Sequence, residues 1–98
     1  MSTPVAVTAD ARGDISDARD WYETQQTGRG DTFLVELQNH FAVIGQNPQQ
    51  YGRVNRITRA APLPYSKYIV YYRVATDQVI VTAVQHAAGD PKKWQRRK

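Results

Sequence analysis

Four arginines, Arg53, Arg56, Arg59 and Arg73, are interleaved along the chain with Tyr65, Tyr68, Tyr71 and Tyr72. Guanidinium forks hold phosphate oxygens and tyrosine faces stack on bases, so this set has the chemistry of RNA binding. A core role competes for the tyrosines. Tyr68, Val70, Tyr72 and Val74 alternate as the buried face of a strand would, which assigns about two of the four tyrosines to the interior. General acid–base chemistry has only His40 and His86 to draw on. His86 stands at a strand end beside a basic tail, either facing a cleft as an acid or base, or hydrogen-bonded to nearby backbone. His40 falls off the apolar stripe of its helix and is expected at the surface. No serine has a triad context, and there is no phosphate loop or His/Asp/Glu metal spacing, so no metal and no cofactor are expected. The chain has no cysteine, which excludes disulfides, zinc–thiolate sites and thiol catalysis. Arg12-Gly13-Asp14 and Arg29-Gly30-Asp31 read as adhesion tripeptides, but one lies in a helix and the other is a turn with a helix cap.

Charge is segregated. Residues 10–46 carry a net charge of −4, residues 47–75 carry +5 with no acid at all, and the tail 91–98 adds another +5 through Lys92, Lys93, Arg96, Arg97 and Lys98. A one-signed surface steers an oppositely charged partner, either nucleic acid or an acidic protein segment; the alternative is ordinary solvated charge. At 98 residues with 41% apolar content, the chain fits one domain, 1–98, with one small core. No apolar run approaches the roughly 18–20 residues of a membrane span, and acids run through residues 1–30 where a signal peptide would be apolar. No membrane association is expected.

The elements that must position these groups follow from periodicity. Val5–Val7 is a short β-prone run. Thr8 then caps a helix with Asp10 in its first turn and Ala11, Ile15, Ala18 and Tyr22 as its stripe. Residues 25–30 are a polar break, and Asp31 is the expected cap of a second helix with the stripe Leu34, Leu37, Phe41 and Ile44, stopped by Asn47-Pro48. Residues 53–59 read as a strand of uncertain register. Pro62 and Pro64 interrupt the chain, and no central strand can run through them. Tyr68–Val74 and Val79–Gln85 form a hairpin about the turn Thr76-Asp77-Gln78. The tail is either a working basic arm or an end whose one packing residue is Trp94. The order is β-α-α-β-β-β: an α+β fold, two antiparallel helices on one face of a small antiparallel sheet.

These residues resemble the RelE/ParE toxin superfamily. Ile15-Ser16-Asp17-Ala18-Arg19-Asp20-Trp21-Tyr22-Glu23 is similar to the first helix of those proteins, and Gly28–Leu37 followed by Ile44–Tyr51 is similar to the second. Tyr68–Val74 matches their Tyr-x-Ile-x-Tyr-Arg-Val strand. Val79–Val84, His86, Asp90-Pro91 and Trp94 match their ending. The resemblance covers nearly the whole chain in the right order.

That resemblance implies the toxin of a type II toxin–antitoxin pair, cytoplasmic and held in a hetero-oligomer by a cognate antitoxin. The RelE branch comprises ribosome-dependent endoribonucleases that cut messenger RNA; carried over to this chain, their catalytic positions are Arg59, Arg73 and His86. The ParE branch poisons DNA gyrase and has no established catalytic residue. Here His86 is followed by Ala87, and Asp90-Pro91-x-x-Trp94 looks like the ParE ending, which favours gyrase over the ribosome and its mRNA. A non-toxic antitoxin-binding relative is the third reading, since Ala88-Gly89 stands where many relatives carry arginines and Lys67 where many carry proline. The target-binding set on this basis is Arg53, Arg56, Arg59, Arg73, Trp94, Arg96 and Arg97. The antitoxin-binding set is Trp21, Tyr22, Phe33, Leu37 and Tyr71, with the antitoxin folding onto the apolar groove and laying its acids on the basic strands.

Overall fold

Thr8 starts the first helix as its side chain accepts the Ala11 N–H at 3.2 Å, and the helix α1 runs Ala9–Gln25. It follows a short strand, β1 (Val5–Val7). The computed structural model describes residues 2–97; Lys98, the last residue of the basic tail, lies outside them. Three residues after α1 the chain re-enters a helix, α2 (Arg29–Gln46). Its N-terminus is organised differently from the expectation. Gly28, at φ +91°, holds the capping position, and the Glu23 carboxylate of the preceding helix accepts the Gly28 and Gly30 N–H groups, both at 3.0 Å. These two backbone bonds hold the Glu23 carboxyl below its ordinary range. Asp31 is therefore not the cap; it sits in the first turn, 3.3 Å from Arg19.

The strands are β2 (Arg59–Pro62), β3 (Tyr68–Val74) and β4 (Val79–His86), followed by a single turn of helix, α3 (Lys92–Gln95). The expected strand over 53–59 is corrected: β2 begins only at Arg59. Asn55 Oδ1 accepts the Ile57 N–H at 3.0 Å and the Thr58 N–H at 2.8 Å, closing an Asx turn that bends residues 53–58 back on themselves. Val54 and Ile57 are three apart, a spacing that no flat strand can place on one face, and both remain exposed. Pro62 ends β2 at a sheet edge, where its missing N–H is tolerated.

Sheet order is β1-β4-β3-β2. Strands β2, β3 and β4 are antiparallel as expected, but β1 joins β4 in parallel, with Val5 opposite Val79 and Val7 opposite Val81. A register shift between Tyr71 and Tyr72 leaves Thr82 as an extra residue in β4. The bulge switches parity, so Val79 and Val81 before it and Val84 after it all enter the same core. That core lies between the sheet and the two helices. It gathers Ala11, Ala18, Tyr22, Phe33, Leu37, Ile44, Val70 and Tyr72, with Ile15, Leu34 and Phe41 packed at its margin. A second, smaller cluster on the opposite sheet face is Tyr71, Ala83 and Trp94.

Gly45 marks where α2 touches the chain entering β1. A Cβ there would lie 2.7 Å from the Thr3 carbonyl oxygen, a backbone atom that also accepts no relief from rotamer change. In an open helix interior Gly→Ala stabilises by about 0.5–1 kcal/mol. At Gly45 the sign is expected to reverse, with Gly45→Ala losing about 1–3 kcal/mol through overpacking. Denaturant melts of the two proteins check it, and a stabilised variant would refute the close approach.

Candidate functional site

The arginines converge. Arg53, Arg56, Arg59 and Arg73 line one open pocket of about 310 Å³ with Gln49, Ile57 and Val74. Backbone tethers build its floor: Tyr72 donates its hydroxyl to the Pro48 carbonyl at 2.6 Å, and Arg59 Nη1 donates to the Tyr51 carbonyl at 2.7 Å. Residues 48–51 are thereby fastened against the sheet. The Asx turn at Asn55 presents Arg53 and Arg56 across from Arg59 and Arg73. None of the four has an acidic partner among the described residues, whose ion pairs all involve Arg19 or Arg97. Arg73 Nε is buried and has no hydrogen-bond partner among the described residues. An unpaired buried donor of this kind carries a penalty of about 1–3 kcal/mol.

His86 is elsewhere. Tyr68 pairs with His86, Arg73 stands five residues further along β3, and Arg59 pairs with Tyr72, four residues further, so the imidazole and the arginine pocket lie at opposite ends of the hairpin. At about 3.3 Å per residue these offsets are roughly 17 Å and roughly 13 Å. The ring meets Tyr68 edge-on at 5.3 Å, and Nδ1 accepts the Ala88 N–H at 3.0 Å, the backbone-bonded alternative of the two read from sequence. His86 lines a different, larger cleft of about 810 Å³, between an acidic wall (Asp10, Asp14, Asp17) and a basic one (Lys93, Arg96, Arg97). The set Arg59, Arg73 and His86 is thus not brought together as one catalytic centre.

The tail is folded back. Trp94 stacks on Tyr71 with ring centroids 4.5 Å apart and planes at 13°, and both are buried. Arg97 forms a forked pair with Asp14, its Nη2 donating to Oδ1 at 3.1 Å, and Nη1 also donates to the Thr82 carbonyl at 3.3 Å. Asp14 in turn accepts the Val84 N–H at 3.0 Å, and the bond to Asp14 raises the Arg97 pKa further. These bonds satisfy the β4 edge just beyond the point where β1 ends. Trp94 and Arg97, expected as target contacts, are engaged within the fold, whereas Arg96 is exposed.

The expected antitoxin contacts are redistributed in the same way. Tyr22, Phe33 and Leu37 are buried under the helices and Tyr71 is buried under Trp94; only Trp21, 50% exposed, is open to a partner. The physical reason is that the strongest apolar stripe of a helix hairpin is the one it needs for its own sheet. The exposed apolar residues lie instead on a second face of α2. Val35 and Val43, with Pro64 and the 91% exposed Tyr65, line a groove of about 290 Å³, held open by Glu36 accepting the Tyr65 N–H at 2.6 Å. The available signal was Val35 and Val43 recurring two helical turns apart, off the main stripe.

His40 is a further correction. It is 6% exposed, edge-on to Tyr51 at 5.6 Å, with Nε2 unpartnered among the described residues. Residues 61–65 cover the helix face that the stripe left polar. Burial holds its pKa below the ordinary 6.5, against smaller opposing effects of the Ala61 backbone and Glu36. Below pH 6.5 the unfolded chain therefore takes up a proton that the folded one resists, and stability falls as pH falls. Thermal melts of the wild type are expected to drop from pH 6.5 towards 5, and those of His40→Gln to stay flatter. Parallel slopes would remove His40 as the cause.

Among the described residues no helix is long and apolar enough to cross a membrane. No curated protein matches the chain. A solved chain described as "Chromosomal ParDE TA system from P. aeruginosa" superposes with a TM-score of 0.75 at 15% sequence identity, over 87% of this chain and 96% of that one, which speaks to the fold. Residues 5–91 match the family model of the ParE toxin of the type II toxin–antitoxin system, parDE. With that match covering most of the chain, and with the helix hairpin, sheet and ending in their places, the protein belongs to the ParE toxin family of type II toxin–antitoxin systems.

Proposed function

We propose that this chain is a toxin that inhibits DNA gyrase in the cytoplasm and is neutralised, in a hetero-oligomer, by a cognate antitoxin. The observation that carries the reading is the separation of His86 from Arg73 and Arg59, roughly 17 Å and roughly 13 Å along the strand direction at about 3.3 Å per residue, with Arg59 a further strand away across the sheet. Cleaving RNA needs a base at the 2′-hydroxyl and cations at the same phosphate, and a base that distant serves neither. The arginine pocket and the exposed Arg96 remain as the surface that meets the target. The antitoxin is assigned to the exposed apolar side groups of the helices, Trp21, Val35 and Val43, together with Tyr65.

Two assays on purified protein test this side by side. Gyrase supercoiling of relaxed plasmid is expected to be lost, and a reporter mRNA on translating ribosomes is expected to stay intact. The product of the adjoining reading frame should restore supercoiling when mixed in equimolar amount. Cleaved mRNA with unimpaired gyrase would overturn the proposal in favour of the RelE-like alternative, and no effect in either would favour the non-toxic relative.

A further inference from the structure

We infer that the pocket formed by Arg53, Arg56, Arg59 and Arg73 is a phosphate site that takes the sugar–phosphate backbone of DNA. This deepens the gyrase reading, whose target carries DNA, but the binding itself is tested without gyrase. Four guanidinium groups around one concavity, none with an acidic partner among the described residues, repel one another until an anion enters. The planar forks match phosphate oxygens in pairs, and a tetrahedral phosphate offers oxygens in several directions, where a carboxylate offers one plane. Arg73 adds its guanidinium to the lining from β3.

The pocket also has more room than one phosphate needs. Its volume is about 310 Å³, and Ile57 and Val74 supply apolar walls for a sugar. The Arg59 tether to the Tyr51 carbonyl fixes one guanidinium in advance, while the Asx turn leaves Arg53 and Arg56 on the exposed rim. One guanidinium is thus held in place beside Arg73, and two more are free to close over a ligand. Nothing in the pocket cuts the backbone, since no base lines it.

Fluorescence anisotropy of a labelled DNA duplex, repeated over a salt series, is the test. Three or four phosphate contacts predict a slope of log affinity against log salt of about −3 to −4. Arg56→Ala and Arg73→Gln are each expected to weaken binding about tenfold and to reduce the slope by about one. Lys92→Ala with Lys93→Ala, in the tail, should leave the slope nearly unchanged. An equal loss from the tail pair, or an unchanged slope in the arginine variants, overturns the site. A parallel arm follows the melting temperature with inorganic phosphate. Stabilisation lost in Arg56→Ala but with no duplex binding keeps the phosphate chemistry and assigns free phosphate as its source, overturning the DNA assignment. Stabilisation by a glutamate-rich peptide alone, with phosphate and duplex inert, overturns the inference in favour of a carboxylate partner. Supercoiling assays on the same proteins separate the two readings. Gyrase inhibition without duplex binding removes this inference alone, and duplex binding without inhibition removes the gyrase reading alone.

Discussion

Replacing Asp14 by alanine is expected to destabilise the fold by about 2–3 kcal/mol and to free the C-terminal segment. One carboxylate on α1 holds three groups: both Arg97 nitrogens and the Val84 N–H. The pair is mostly shielded from solvent, with side-chain exposures of 11% for Asp14 and 22% for Arg97. Truncation leaves the guanidinium with only the exposed Asp10 carboxylate, 3.9 Å from its Nε, and a strand N–H without an acceptor, each loss costing about 1–3 kcal/mol and only partly recovered by water. For a chain of this length, 1 kcal/mol corresponds to roughly 4–8 °C, so the melting temperature should fall by roughly 10–20 °C. Limited trypsin digestion followed by mass spectrometry reads the second effect, through faster cleavage after Lys92, Lys93 and Arg96. Asp14→Asn keeps an acceptor for Val84 and should lose less. Unchanged melting and unchanged digestion in Asp14→Ala would mean that Trp94 alone holds the tail.

The second large effect is functional. The double variant Arg59→Ala with Arg73→Ala is expected to weaken growth arrest on induction by about a hundredfold in surviving colonies, taking about tenfold, or 1.4 kcal/mol, for each arginine contact. His86→Ala should arrest growth like the wild type, because its ring lines the other cleft and accepts a backbone N–H. Arg59 also tethers residues 49–51, so Arg59→Lys with Arg73→Gln provides a gentler pair whose folding is checked by circular dichroism. Arrest that survives both pairs in folded protein would remove the sheet arginines from the working surface. Arrest lost in His86→Ala would restore that residue to the mechanism.

The helices and the β3–β4 hairpin were legible because their signals are local. Ala11, Ile15, Ala18 and Tyr22 repeat at helical spacing, and the run Tyr68–Val74 is β-branched or aromatic at every position but Arg73, so each element declares its own period. Residues 53–59 misled because a short run with Val and Ile reads as a strand until a side chain competes for the backbone. Asn55 does so here, taking two N–H groups. His40 misled for a different reason: its polarity and its place off the stripe argued for water, and only the return of residues 61–65 over α2 buried it.

The site divides along the same line. Chain order alone determined that an acid-free arginine cluster, a tyrosine-rich strand and a basic end exist, and the motif pattern placed them in the right family. Which of those groups meet was decided by strand register and by long-range closure. Arg59 opposite Tyr72 and Arg73 opposite Ile80 bring the arginines to one end of the hairpin, while Tyr68 opposite His86 carries the histidine to the other. Asp14, marked in the sequence only by an Arg-Gly-Asp tripeptide lying in a helix, became the tail's anchor through a contact with Arg97, 83 residues away. Pairings across such separations depend on loop closure and on the packing of the whole sheet, and neither leaves a periodic trace in the residues themselves.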